Sequence, residues 1–456
     1  MDVSYQQFID RKSQLGGQHG FDPVWMPDFL FDFQRHLVEW ALRQGRSAIY
    51  ADCGMGKTPM QLVIAQNVVR HTNKRVLILT PLAVSYQTLK EAEKFGIEVE
   101  RGQDGKFSPS AKIVITNYQQ LHKYDASDFV MVVCDEASAI KSADGKTTAA
   151  VTEFMRQVPN RLLCTATPAP NDFHELGTSS EALGGLGCRD MLGRFFKQDT
   201  AKDHRGWGRS KYRLKGHAEE PFWKWVCSWA RSCRKPSDLG FDDGDFVLPG
   251  LEESEIVLQC NNPRPGQMFV TPPKTMADHQ YERRNTITER CESAAEEVAG
   301  HDGYSLVWCH LNGEADLAEK LIPGALQVSG SMSDEQKEER LLAFSAGELK
   351  TLVLKPKIGC WGLNWQHCHH QVMFPSDSFE QYYQAVRRSW RFGQENKVLI
   401  KIITTEGGRG VLENLKRKSA RADRMFNLLT RFMGDAVNIE RTKYGSQIQR
   451  IPQWLS

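Results

Sequence analysis

One octapeptide constrains the fold of this 456-residue chain more than any other feature. Ala51-Asp-Cys-Gly-Met-Gly-Lys-Thr58 stands between the apolar, β-branched run Ser47-Ala-Ile-Tyr-Ala51 and a segment of helical period that opens at Lys57. Strand, glycine-containing loop and helix in that order make a phosphate-binding loop. Gly54 and Gly56 let backbone N–H groups approach phosphate oxygens, and the following helix aims the positive end of its dipole at them. Lys57 is then placed for the β- and γ-phosphates and Thr58 for Mg²⁺. Such a loop belongs to an α/β domain.

The surrounding pattern agrees. From about Ser47 to Thr165, the strand-like runs SAIYA, RVLILT, KIVIT, FVMVVC and RLLCT alternate with helix candidates at Lys57 to Arg70, Ala83 to Phe95 and Thr147 to Arg156. That is the pattern of a parallel sheet with crossover helices. The alternation restarts near Tyr304 with SLVWC, ALQV, KTLVL, HQVMF and VLIKIIT, and helices beginning near Asn312, Ser333 and Ser378. Between them the stretch from Glu181 to Ala299 breaks the alternation and is rich in aromatic, basic, Gly and Pro residues. The expected division is a first lobe over 1–180, an insertion and linker over 181–299, and a second lobe over 300–456 ending in a helical segment.

Composition adds bounds. With 40% hydrophobic and 25% charged residues the chain is of soluble globular type. No apolar run is long enough for a membrane span, and the N-terminus lacks a signal pattern, so a cytoplasmic protein is expected. The 11 cysteines are odd in number and scattered, and Cys134, Cys164 and Cys309 fall inside strand-like runs as small core residues. The 58 basic and 56 acidic residues nearly cancel, so binding to nucleic acid must come from local patches.

A second carboxylate site completes the phosphate loop. An apolar strand ends in Asp135-Glu136, 78 positions after Lys57. Alone, an acidic pair closing a strand is most often a solvated turn. Coupled to the loop, Asp135 reads as a Mg²⁺ ligand through water and Glu136 as the group that polarises the attacking water.

ADCGMGKT, DEAS at 135–138 and Thr165-Ala-Thr-Pro168 resemble motifs I, II and III of the superfamily-two helicases, in the same order. The segment FDFQRHLVEWAL resembles the family's element that places an adenine-recognising glutamine, here Gln34. LTPLAVSYQTLKEAEKF and IVITNYQQL look like its DNA-contacting segments. GCWGLNWQ, around Gly362, is similar to motif V. Gln384-Ala-Val-Arg-Arg388-Ser-Trp-Arg391-Phe-Gly-Gln394 is similar to motif VI of the Swi/Snf-like branch. The resemblance implies two RecA-like lobes, ATP with Mg²⁺, nucleotide contacts from Gln34, Gly54, Gly56, Lys57, Thr58 and Gly362, and charge from Arg388 and Arg391 on the transferring phosphoryl group. It implies a DNA-stimulated ATPase that moves along duplex DNA, with a strand-separating helicase or an ATP-sensing DNA-binding subunit as alternatives. The compactness is that of short bacterial or phage members. The family often has His, Asp and His where this chain has Ser138, Arg387 and Trp390.

Between Cys188 and Lys235 stand 13 Lys and Arg against 5 Asp and Glu, interleaved with Trp207, Tyr212, Trp223, Trp225 and Trp229. Arg205, Arg209, Lys211, Arg213 and Lys215 are candidates for sequence-nonspecific contacts to double-stranded DNA, whereas WKWVCSW reads as a small hydrophobic core. A second basic cluster, Lys416, Arg417, Lys418, Arg421 and Arg424, lies on a C-terminal helix candidate. Cys360, His367, Cys368, His369 and His370 suggest zinc, but neighbours on a strand point to opposite faces and cannot all reach one ion. Mg²⁺ is the expected metal.

Overall fold

A computed structural model describes residues 19–199, 211–259, 276–358 and 364–448. Its described residues form two compact units, one comprising the chain up to Asp243 together with residues from Arg421 onward, the other Gly244–Ala420.

Unit one begins with α1 (Asp32–Gln44) and β1 (Arg46–Ala51), followed by α2 (Lys57–Thr72), β2 (Arg75–Thr80), α3 (Leu82–Lys94), β3 (Glu100–Arg101), β4 (Ile113–Asn117), β5 (Phe129–Asp135), α4 (Lys146–Arg156) and β6 (Asn160–Cys164). Next come α5 (Leu176–Leu183), α6 (Cys188–Phe195), β7 (Phe196–Asp199), β8 (Lys211–Leu214), α7 (Glu219–Cys227) and β9 (Ala230–Cys233). Seven of these strands form a parallel sheet in the order β3-β4-β2-β5-β6-β1-β9. The central strands are buried along almost their whole length, as a sheet covered on both faces requires. That double burial is why they read as unbroken apolar runs.

Unit two contributes β10 (Leu251–Leu258), α8 (Met276–Asn285), α9 (Ile287–Ala299), β11 (Ser305–Trp308), α10 (Asn312–Leu321), β12 (Leu326–Val328), α11 (Asp334–Ser345), β13 (Thr351–Leu354), β14 (His370–Met373), α12 (Phe379–Val386) and β15 (Val398–Thr405). Its six strands are parallel in the order β10-β15-β14-β11-β13-β12. The last helix, α13 (Arg409–Ile448), starts among the residues of unit two and continues into those of unit one. There Arg421 pairs with Asp172 at 2.8 Å, and Arg424 with Glu219 at 2.6 Å. Part of the C-terminal basic cluster is thereby occupied in internal ion pairs.

The ten strands expected from the alternation are all present, with ends shifted by a residue or so. The stretch from Glu181 to Ala299 is more structured than a break in alternation suggests. Its β9 pairs with β1, and its β10 pairs with β15 at all eight positions. Neither carries the apolar signature. β9 reads Ala-Arg-Ser-Cys, and the Arg231 guanidinium is buried over the Trp40 ring, 4.4 Å from its centroid. β10 reads Leu-Glu-Glu-Ser-Glu-Ile-Val-Leu, an edge strand whose charges discourage further pairing. Its Glu252 and Glu255 are matched by Lys397 and Lys416. WKWVCSW is a core as expected: Trp223, Trp225 and Trp229 are at most 5% exposed and pack with Phe195, Phe196 and Phe222.

Candidate nucleotide-binding site

Register brings the first three motifs to one end of the first sheet. Ile49 on β1 lies opposite Cys164 on β6, and Cys164 lies opposite Asp135 on β5. The loop after β1, Thr165 after β6 and the Asp135-Glu136 pair closing β5 therefore emerge side by side at the carboxyl ends of adjacent parallel strands. This is where open α/β sheets place their ligands.

The phosphate loop turns through left-handed backbone at Gly54 (φ 88°) and Gly56 (φ 77°). A Cβ on Gly56 would lie 2.2 Å from Gln34 Nε2, so any larger residue there would push the Gln34 amide aside. Gln34 is 4% exposed, and its amide is engaged at both ends: Nε2 donates to the Met55 carbonyl at 3.0 Å, and Oε1 accepts from Phe31 N–H at 3.1 Å. The second bond caps the start of α1. Gln34 thus ties that helix to the phosphate loop, and one N–H and one oxygen lone pair remain for a base.

Lys57 Nζ donates to the carbonyls of Ala51 and Asp52, at 3.0 and 3.3 Å. Burial works against its charge, but Cys53, Glu136, Asp135 and Asp52 together outweigh that and hold the ammonium's pKa above its ordinary value. Asp135 is 4% exposed and accepts from Gln61 Nε2 at 2.7 Å. Burial raises its carboxyl pKa, against the lowering influence of Gln61, of the Lys57 charge and of a backbone hydrogen bond. The Tyr118 hydroxyl donates to the Asp135 carbonyl at 2.7 Å and fixes the strand end. Glu136 takes a left-handed conformation at φ 49° and ψ 55°. For a side chain with no local turn chemistry this conformation is costly, of the kind that collects at functional sites. Its Oε2 accepts from the Thr165 hydroxyl at 3.4 Å, and Thr165 Oγ1 accepts from Thr167 N–H at 3.1 Å.

Among the described residues no group of three or more His, Cys, Asp and Glu is arranged to hold a metal. The hydroxyl of Thr58 and one carboxylate, Asp135, are hard oxygen donors. They suit Mg²⁺, which keeps several waters and takes the rest of its shell from substrate phosphates. Of the suggested zinc ligands, Cys368 Sγ is buried on the carbonyls of Tyr304 and His370, and His370 Nδ1 bonds to Ser305 Oγ at 2.9 Å. Gly362, Cys360, Arg205 and Arg209 lie outside the described residues.

In unit two, the segment carrying Arg388 and Arg391 follows α12 as a turn rather than as helix. It is held in place by backbone and amide bonds. Trp365 N–H donates to the Arg388 carbonyl at 3.0 Å, Gln366 Nε2 to the Phe392 carbonyl at 2.6 Å, and Gln394 Nε2 to the Gln366 carbonyl at 2.7 Å. Arg391 bonds to Asn364. Arg387 and Trp390, two of the departures from the family pattern, stack on one another with the guanidinium 4.3 Å from the ring centroid.

A cavity of about 480 Å³ opens beside the ends of β2 and β4, lined among others by Ser85, Arg101, Gln103, Thr116, Asn117 and Gln120. Its walls come from the two segments read as DNA-contacting, with Arg101 and Gln103 added from β3 and the turn after it. Lys215 Nζ is spent on the carbonyls of Gly193 and Arg194, whereas Arg213 is exposed on β8 directly across from exposed Lys197 on β7. Sequence reasoning did not mark Gln61, Tyr118, Thr165 as a partner of Glu136, or Lys197. Gln61 carried the clearest signal, since it stands one helical turn after Lys57.

Two parallel-sheet units, the first with a complete phosphate loop and acidic strand end, define a two-lobed α/β nucleotide-binding protein. Family models match both: the SNF2-related domain over residues 33–179 and the helicase conserved C-terminal domain over 292–393. The chain belongs to the Swi/Snf-like branch of helicase superfamily two. It is 30% identical over 180 residues to the DNA repair and recombination protein RAD54B of Gallus gallus, covering 34% of this chain and 19% of that protein. It is 26% identical over 195 residues to the uncharacterized ATP-dependent helicase YqhH of Bacillus subtilis, covering 40% of this chain and 34% of that one. The matches thus span well under two thirds of these relatives. A solved structure, the Sulfolobus solfataricus SWI2/SNF2 ATPase core in complex with dsDNA, is similar at 16% identity over 90% of this chain and 96% of that one, with a TM-score of 0.43.

Proposed function

We propose that this chain is an ATP-dependent DNA translocase that hydrolyses ATP when bound to DNA and moves along the duplex without reading base sequence. The observation that carries the ATPase part is the convergence of the Lys57 loop, Asp135-Glu136 and Thr165 at the ends of three neighbouring strands. Lys57 leaves its backbone carbonyls for the β- and γ-phosphates. Thr58 and Asp135 would hold Mg²⁺, which would supply positive charge to offset that of the phosphates. Glu136, oriented by Thr165, accepts a hydrogen bond from the attacking water and draws off its proton. Arg388 and Arg391 are assigned, by their place in motif VI, to stabilising the charge on the transferring phosphoryl group.

DNA as the track is supported by the cavity formed from the two resembling segments, by exposed Lys197 and Arg213, and by the DNA repair role in the name of the RAD54B relative. The described cysteines are free thiols, and no described helix is long and apolar enough to cross a membrane. Both fit a protein working in the reducing cytoplasm. The deciding experiment measures ATP turnover with no DNA, with single strands and with duplex, beside displacement of a third strand and unwinding of a fork. The expected result is strongest stimulation by duplex, with triplex displacement and little fork unwinding. Equal turnover in all three conditions would overturn the translocase reading. Efficient unwinding with weak displacement would make the protein a strand-separating helicase.

A further inference from the structure

A functional side chain carried on a turn is aimed only as well as the residues around it are held. Arg391 is such a side chain, and its two neighbours in the chain, Trp390 and Phe392, rest on one short stretch, residues 246–249. Trp390 Nε1 donates to the Pro249 carbonyl at 2.8 Å, and the Phe392 ring meets Phe246 edge-on with centroids 5.2 Å apart. That stretch is itself anchored. Pairing of β10 with β15 begins at Leu251 opposite Val398, and Val398 N–H donates to the Gly250 carbonyl at 2.9 Å. The Tyr382 hydroxyl bonds to Glu253, so β10 is also tied to α12, the helix that leads into the turn. The indole is held at its ring as well, where the Arg387 guanidinium stacks and Nη1 donates to the Trp390 carbonyl at 3.3 Å. All these residues belong to unit two, and residues 246–249 lie where the chain enters it after Asp243.

We infer that Trp390 is a positioning residue for Arg391: its indole N–H, bonded to the Pro249 carbonyl, sets where the turn presents that arginine. This rests on the assignment of Arg391 to the transferring phosphoryl group. Trp390 acts through the backbone it shares with Arg391, and Phe392 braces the same arginine from the following position. A group that stabilises charge only in the transition state must be aimed beforehand, and a misplacement of about 1 Å can cost about a hundredfold in rate. The anchor is the stretch through which the chain passes from one unit into the other, so the course of that stretch bears on the arginine. A tryptophan that only filled space would lower stability when trimmed. It would leave kcat alone, and its effect would be the same with or without Arg391.

The test is a double-mutant cycle on the full chain. ATP turnover with saturating duplex DNA, affinity for a fluorescent ATP analogue and thermal unfolding are measured for wild type, Trp390→Phe, Phe246→Ala and Arg391→Ala. The two combinations with Arg391→Ala complete the set. Trp390→Phe keeps a ring for Arg387 to stack on and loses the N–H. Its kcat is expected to fall about tenfold, the order of one lost hydrogen bond, with KM, analogue affinity and unfolding temperature near those of wild type. Added to Arg391→Ala, it is expected to cause no further loss. Phe246→Ala, which loosens the same anchor through Phe392, is expected to lower kcat with the same dependence on Arg391, and it decides if Trp390→Phe does not fold. Wild-type kcat in both single variants, or an equal fold-loss with and without Arg391, would overturn the proposal while leaving the nucleotide site intact. Undiminished turnover in Arg391→Ala itself would remove that arginine's assignment and this inference with it.

Discussion

Thr165 Oγ1 stands 3.4 Å from Glu136 Oε2, linking the end of β6 to a carboxylate held in left-handed backbone on the neighbouring strand. The bond explains how a conformation that glutamate adopts at a cost can be kept, and it directs one carboxylate oxygen. A group with so little orientational freedom is suited to proton abstraction, where a small misplacement is expensive.

Glu136→Gln is accordingly expected to abolish ATP turnover while nucleotide still binds, and Lys57→Ala to abolish turnover by loss of phosphate binding. Thr165→Val removes only the orienting hydroxyl and is expected to lower kcat by about tenfold to a hundredfold with KM little changed. Steady-state kinetics with circular dichroism as the folding control measures all three. Wild-type turnover in Glu136→Gln would withdraw its assignment as the group that activates water.

Arg388→Ala and Arg391→Ala are each expected to leave nucleotide affinity nearly unchanged and to lower DNA-stimulated turnover, by up to about a thousandfold or more if the arginine-finger comparison holds. Arg387→Ala is expected to behave differently. That side chain is 5% exposed and stacked on Trp390, so its loss should show in the unfolding temperature. Equal, undiminished turnover in the Arg388 and Arg391 variants would take both arginines out of catalysis.

On the β7–β8 hairpin, Lys197 and Arg213 face each other across an antiparallel pair, an arrangement that disfavours folding unless an anion comes between them. The double variant Lys197→Ala, Arg213→Ala is expected to weaken duplex binding and to reduce the slope of log affinity against log salt by about 0.9 for each phosphate that is no longer neutralised. Lys215→Ala should leave that slope unchanged, because its ammonium is occupied by backbone carbonyls. Fluorescence anisotropy over a salt series separates the two outcomes. An unaltered slope in the double variant would return the hairpin to a structural role.

The parts of the fold legible in the sequence were those with a short-range signal. Central strands buried on both faces are apolar without interruption, and the phosphate loop announces itself through Gly54, Gly56 and Lys57 within one turn of chain. The edge strands were not legible: Arg231 satisfies its charge on Trp40 and the Cys227 carbonyl, and the glutamates of β10 find lysines about 145 and 161 positions away. Within the site the motif residues were visible, but their supports were not. Gln61 is an ordinary helical residue in sequence, and nothing local shows that it meets Asp135 across 74 positions. Gln34 was visible as a motif, yet its engagement with Met55 follows only from how α1 packs.

A pH dependence of stability is expected from the second sheet. His370 is 2% exposed, bonded to Ser305, and lies with its ring 4.4 Å from that of His301. Burial first, then the charges of His301, Lys401 and His369, hold its pKa down to about 4, against an ordinary 6.5. Because the folded-state value is the lower one, the unfolded chain binds the extra proton between these two pH values. The stability His370 contributes is whole above 6.5, falls as pH drops through that window, and is fully lost once pH is below about 4. The slope from one such group is at most about 1.4 kcal/mol per pH unit. Thermal unfolding of wild type and His370→Gln between pH 4 and 7 measures it. The glutamine variant, which cannot titrate but can still bond to Ser305, is expected to give the flatter curve. Parallel curves would show that His370 is protonated as readily in the folded chain as in the unfolded one.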